Sequence, residues 1–152
     1  MDRFLSKENA IKLLETNDTG VLSVVTLENK PYGVSVNYFY DEKTNALYFH
    51  SKPNGRKIES IKKNPEVSFI VFDKNEIIVN AYITHYQSTI VTGKATIIED
   101  EEETRFYLEK FCLHTVPDRM DRFDAVVEGF IKNMVMVKVS ITAISGKQNK
   151  DN

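Results

Sequence analysis

The chain has 152 residues, a formal net charge of -2, 41% hydrophobic and 28% charged residues, which suits one globular domain with a real core. That balance excludes the global basic field that drives nucleic-acid binding, and the single cysteine, Cys112, excludes an internal disulfide and offers no zinc pattern. No apolar run approaches the about 20 residues of a membrane span, and Met1-Asp2-Arg3 does not begin a signal peptide, so a cytoplasmic protein with no membrane partner is expected.

In chain order, Ser6 can cap a helix carrying Ala10, Ile11, Leu13 and Leu14, with Gly20 placed to follow its end. Val21 to Leu27 reads as a strand, and Glu28 to Pro31 turns the chain. From Tyr32 to Tyr40 the alternation predicts one strand. Val34, Val36, Tyr38 and Tyr40 face one way, and Ser35, Asn37 and Phe39 the other. Asp41 to Asn45 is a tight polar connection, so a hairpin with Leu47 to His50 is expected.

Pro53-Asn54-Gly55 then turns straight into Arg56-Lys57. Ile58 and Ile61 recur at helical spacing until Asn64-Pro65, after which Val67, Phe69 and Val71 alternate again. The order is strand, loop, short helix, strand. It gathers Ser51, Asn54, Arg56 and Lys57 at a helix N-terminus, where free N–H groups and the helix dipole suit a phosphate. The P-loop spacing is absent, and the same residues also read as a turn with solvated charges. His50, at a strand end, reads equally as a structural histidine.

Asp73 to Glu76 predicts another turn, followed by a long β segment from about Tyr82 to Ile98, broken or bulged near Gly93. The acidic run Glu99 to Glu103 opens a helix whose apolar side includes Tyr107, Leu108 and Phe111. A further helix is expected from Val116-Pro117-Asp118, with Met120, Phe123, Val127 and Phe130 as a core stripe. On it Asp118, Asp121 and Asp124, interleaved with Arg119 and Arg122, read as a salt-bridging face and not as a metal site. Met134 to Ile144 is the last strand. Residues 1–147 form the single domain, and 148–152 a polar, frayed tail. Six or so strands joined mainly by short turns predict a mainly β fold, an antiparallel barrel with peripheral helices.

No hydrolase constellation stands out. His50, His85 and His114 are scattered, and Cys112 and His114, two apart on a helix, point to different faces. No side chain is assigned a catalytic role, and no metal site is expected. The inventory suits a protein that binds a reactive cofactor, with a β wall at Val34 to Tyr38, an anion site at Ser51 to Lys57 and a second wall at Tyr86 to Ile90.

Tyr48-Phe49-His50-Ser51, then Gly55-Arg56-Lys57, then Asn64-Pro65-x-Val67-Ser68-Phe69 resemble the FMN-binding split-barrel superfamily that includes pyridoxamine 5′-phosphate oxidase. Tyr86-Gln87-Ser88-Thr89-Ile90-Val91-Thr92-Gly93-Lys94-Ala95 is similar to the Tyr-x-Ser-hydrophobic-x-x-Gly-x-Ala segment of its Nim-type group, the 5-nitroimidazole reductases and related flavin-nucleotide-binding proteins. Ile144-Ser145-Gly146-Lys147 resembles that group's closing hydrophobic-x-Gly-Lys.

The resemblance implies an antiparallel split β-barrel of FMN-binding type, and a homodimer with two FMN sites, each lined by both subunits. Val36, Asn37 and Tyr38 would lie along the isoalloxazine edge, largely through their backbone. His50, Ser51, Arg56 and Lys57 would hold the ribityl phosphate, with Tyr86 and Ser88 on the wall that completes the pocket and Lys147 reaching in from the C-terminal strand. The implied activity is reduction of a small acceptor, a nitroimidazole, nitroaromatic or quinone, with electrons from NAD(P)H. Pyridoxamine-phosphate oxidases carry a basic C-terminal segment, which Lys147 to Asn152 do not match, so their own activity is not expected. The alternative is a non-catalytic split barrel that carries flavin, or haem through one of the three histidines, for storage, sensing or transfer.

Overall fold

The computed structural model of the chain describes residues 3–149, apart from the side chain of Lys74. Helix α1 (Lys7–Thr16) begins where expected, the Ser6 hydroxyl accepting the Asn9 N–H at 3.2 Å. It buries Ala10, Leu13 and Leu14. It ends at the extended residue Asn17, whose side-chain amide donates to the Leu13 carbonyl at 2.8 Å. Gly20 is therefore not its cap. It lies inside β1 (Thr19–Val25), where an added Cβ would run into the Phe69 ring.

The single strand expected from Tyr32 to Tyr40 is two strands, β2 (Pro31–Asn37) and β3 (Phe39–Asp41). Tyr38 makes the break. Its N–H donates to the Asp18 carbonyl at 2.9 Å and its hydroxyl to the Leu14 carbonyl at 2.7 Å. With the chain pinned against α1, Tyr38 turns inward onto Phe69 at 4.8 Å between ring centroids, while Phe39 stacks on Tyr48 at 5.1 Å. Both consecutive side chains are buried, which a continuous pleat would not allow in a one-sided sheet.

β3 pairs with β4 (Ala46–Ser51) in the expected hairpin, Asp41 opposite Ala46. Helix α2 (Arg56–Lys63) follows the Gly55 turn and leads into β5 (Glu66–Ile78). The predicted turn at Asp73 to Glu76 is an irregularity within β5, and the hairpin closes further on, at Val79–Ala81, with Tyr82 left-handed at φ 55°. β6 (Ile83–Ile98) shifts register between Thr92 and Gly93, as expected, and a Cβ on Gly93 would meet the Ser140 carbonyl.

Helix α3 (Glu101–Thr115) is capped by the Asp100 carboxylate, which accepts the Glu103 N–H at 2.8 Å. The helix expected next is broken. A 3-10 stretch, Pro117–Arg122, is kinked at Arg119 (φ -121°, ψ 16°) and gives way to the short α4 (Phe123–Glu128). Its apolar residues still pack, with Phe123 and Val127 buried. Strand β7 (Val135–Asn149) outruns the predicted end, so Gln148 and Asn149 pair with Gln87 and Tyr86 instead of fraying. The rest of the predicted tail, 150–152, lies outside the described residues.

Seven strands form one curled antiparallel sheet in the order β2-β1-β5-β6-β7-β4-β3, a split barrel as predicted. β4 is buried on both faces. Leu47 and Phe49 join Leu22, Phe69 and Val91 inside the barrel. Ala46 and Tyr48 join Phe111, Phe123 and Met136 beneath α3 and α4. Among the described residues, no helix is long and apolar enough to cross a membrane.

Candidate functional site

The sequence Asn54-Gly55-Arg56 folds as it does because Gly55 takes φ 116°, ψ 166°, a region that L side chains rarely enter. Nothing lies within 4 Å of where its Cβ would be, so conformation and not space demands the glycine. The bend throws the chain into α2 with no side chain capping its first turn. The amide groups of that turn point out of the helix, at the positive end of its dipole. Ser60 tightens the same turn by donating to the Arg56 carbonyl at 2.6 Å.

Arg56 and Lys57 stand on this turn, and among the described residues neither forms a salt bridge, although the Arg56 charge helps to lower the pKa of the exposed Glu28. The Arg56 guanidinium lies 5.2 Å from the centre of the Tyr32 ring, and the Lys57 ammonium 5.6 Å from that of Phe49. Partial burial holds the Lys57 pKa below the usual lysine range. His50 keeps an exposed edge, and its ring packs edge-on against Phe111 at 4.9 Å. Neighbouring protein atoms exclude enough water to lower its pKa, and the Lys57 charge lowers it further. The imidazole is therefore neutral at pH 7 and can donate or accept a hydrogen bond. Ser51 follows on the end of β4, opposite Val135.

His50, Ser51, Arg56 and Lys57 thus form one electropositive group at the junction of β4 and α2. Two cations, neither in a salt bridge among the described residues, beside an uncapped helix start make a donor set that suits an anion such as a phosphate monoester.

Val36, Asn37 and Tyr38 form a second element. β2 is an edge strand, hydrogen-bonded to β1 alone. The Thr26 N–H to Lys30 carbonyl and Tyr38 N–H to Asp18 carbonyl bonds fix the phase of that ladder. By its alternation, Gly33, Ser35 and Asn37 aim their amides and carbonyls away from β1, toward the open edge. Val36 and Tyr38 turn theirs inward, and their side chains are core. A backbone wall exists here, then, but Asn37 presents it. The Tyr38 N–H and hydroxyl are already committed to Asp18 and Leu14.

The third group is remote within one chain. Tyr86 pairs with Asn149, and Ser88 with Lys147. Lys147 lies toward the opposite end of β7 from Val135, the residue that faces Ser51. Gly146 beside it serves packing: its carbonyl accepts the Leu5 N–H at 3.0 Å, and a Cβ there would meet Leu5. By register, Tyr86, Ser88 and Lys147 group with one another and not with Ser51.

Three neighbours escape sequence reasoning: Tyr32, Phe49 and Phe111, which floor the cationic group. Periodicity marks all three as core, and although Phe49 stands inside the Tyr48-Phe49-His50-Ser51 motif, nothing in the sequence singles it out from its neighbours there. The other candidate chemistry dissolves. His114 contacts the Asn17 carbonyl at 3.2 Å, and burial raises the Cys112 thiol. Asp124 pairs with Arg105 of α3, not with the arginines beside it in sequence.

Comparison with known proteins agrees with this architecture. No curated protein matches the chain in sequence. A Bacteroides thetaiotaomicron protein named for 5-nitroimidazole antibiotic resistance superposes with a TM-score of 0.80 at 25% identity, over 95% of this chain and 86% of that one. An FAD-binding protein from Mesorhizobium loti shares the fold (TM-score 0.72, 22% identity, 98% of this chain and 97% of that one). So does an FAD- and haem-binding protein from Mycobacterium smegmatis (TM-score 0.82, 15% identity, 99% and 75%). The family described as pyridoxamine 5′-phosphate oxidase matches residues 6–148. From the first helix to the last strand, the chain belongs to that family.

Proposed function

We propose that this protein is an FMN-dependent oxidoreductase that reduces a small acceptor, a nitroaromatic or quinone-like molecule, with electrons from NAD(P)H. The observation that carries the reading is the adjacent Arg56 and Lys57 on the uncapped first turn of α2, neither in a salt bridge among the described residues, beside a neutral His50. Family membership and the likeness to a nitroimidazole-resistance protein support the flavin and the acceptor class.

In this reading Lys57, Arg56, Ser51 and the α2 amides bind the phosphate, and the open edge of β2 at Ser35 and Asn37 orients the ring system. FMN, when bound, supplies the hydride chemistry. The chain need contribute no acid or base to it. Neutral His50 donates a hydrogen bond to the phosphate or holds a proton at its rim. Tyr86, Ser88 and Lys147 lie at the other end of β6 and β7 from the strand end that faces Ser51. The proposal therefore includes a homodimer in which a second copy brings them across the interface.

A visible absorption spectrum before and after FMN addition, followed by removal of excess, tests the reading. One FMN per chain is expected, bleached anaerobically by NADH or NADPH and restored by a nitroaromatic. Bound flavin that no nicotinamide reduces would reassign the protein to flavin carriage. A second reading, haem binding, is favoured by one feature, the lowered pKa that keeps the His50 imidazole unprotonated and available to a metal. A Soret band on haem addition, lost in His50→Ala, would establish it.

A further inference from the structure

We propose that the helical layer carries a second ligand site, separate from the flavin site, for a small monocarboxylate with one aromatic ring or a short alkyl chain. A pocket of about 220 Å³ opens between the end of α3, the kinked 3-10 stretch and α4. This is smaller than the roughly 300–1,000 Å³ of drug-sized sites. Met120, Phe123, Val126, Val127 and Phe130 make it apolar.

Charge is sorted around it. The 3-10 stretch is kinked at Arg119 and runs into Phe123 of α4, so its side chains sort by where each packs. Met120 and Phe123 line the pocket with apolar surface. Arg119 and Arg122 line it too, whereas Asp118 and Asp121 do not. Among the described residues, neither arginine has a salt-bridge partner. The acids of α4 are meanwhile occupied, since Arg105 pairs with both Asp124 and Glu128. Two arginines in no salt bridge among the described residues thus line a small apolar cavity, with no carboxylate lining it. An occupant complementary to both carries an apolar body and one carboxylate held by charge-assisted hydrogen bonds.

Cys112, the chain's one cysteine, lines the same pocket and reports on it. The rate of its alkylation by iodoacetamide can be followed by mass spectrometry, with 4-phenylbutyrate as the charged probe and 4-phenylbutyramide as its neutral counterpart. The carboxylate is expected to slow alkylation, and the amide to need about ten-fold higher concentration for the same protection. In R119Q/R122Q the two probes should become equivalent. Both positions are exposed, so the variant should keep its fold, and R119Q and R122Q singly should each lose part of the preference. Saturation with FMN should leave the protecting concentration unchanged. Absence of protection by 4-phenylbutyrate, equal protection by the amide, undiminished preference in R119Q/R122Q, or competition with FMN would each overturn the assignment.

Discussion

Lys57 and Lys62 belong to the same eight-residue helix, yet the phosphate assignment requires them to behave differently. Lys57 is in the first turn, half-buried and in no salt bridge among the described residues. Lys62 is in the last turn, with 53% of its side chain exposed, and pairs with Glu59 at 3.4 Å. A hydrogen bond to a charged group contributes about 1.5–3 kcal/mol net, so Lys57→Ala should weaken FMN binding roughly 10- to 150-fold. Lys62→Ala removes only an exposed surface charge and should change the affinity about two-fold or less, an effect that added salt screens. The assay is quenching of flavin fluorescence at fixed ionic strength, run with FMN and with riboflavin. Riboflavin lacks the phosphate, so the loss in Lys57→Ala should appear for FMN and shrink for riboflavin. Equal losses in the two lysine variants, or equal losses for the two flavins, would refute the phosphate site.

Three further outcomes follow from the same geometry. Gly55→Ala forces a side chain to φ 116°, ψ 166° at a cost of order 1–3 kcal/mol. Its melting temperature should fall by roughly 2–10 °C, while Gly129→Ala, at φ -76°, should change little; similar shifts in a thermal scan would undo the strain argument. Tyr38→Phe strands the Leu14 carbonyl and should lose about 1–3 kcal/mol in urea unfolding, with FMN affinity nearly unchanged. A large affinity loss at constant stability would instead place the hydroxyl in the binding site. His50 has a folded pKa below its ordinary 6.5, so the unfolded chain takes up the proton first and stability falls as pH drops below about 6.5. Above that pH its contribution is flat. His50→Gln should flatten the acid-side decline in the urea midpoint between pH 8 and 5, and an unchanged slope would show that other groups set it.

The β4–α2 site was legible because its causes are local. Gly55 marks the turn, Ile58 and Ile61 mark the helix face, and Asn64-Pro65 ends it. The break at Tyr38 was not legible, because Val34, Val36, Tyr38 and Tyr40 continue a regular alternation. What interrupts it are the Asp18 and Leu14 carbonyls, brought there by α1. Asp73 to Glu76 misled for the converse reason, since a polar cluster there makes a bulge in a longer hairpin. The motif at Tyr86 to Ala95 was visible as a segment, but no pattern along one chain states that its strand leads away from Ser51.

Tyr38 has a consequence for how the fold assembles. It alone separates β2 from β3, and these are the two outermost strands of the sheet. The seam of the barrel is thus closed by peptide bonds where the hydrogen-bond ladder ends. The β1–β2 hairpin docks on β5 and the β3–β4 hairpin docks on β7, on opposite sides of the central strands. Once either has docked, the other is tethered within a residue of its destination, and its own docking becomes an event at high effective concentration. The two halves of the sheet should accordingly gain and lose structure together, and a flexible insertion beside Tyr38 should uncouple them before it disturbs any single strand.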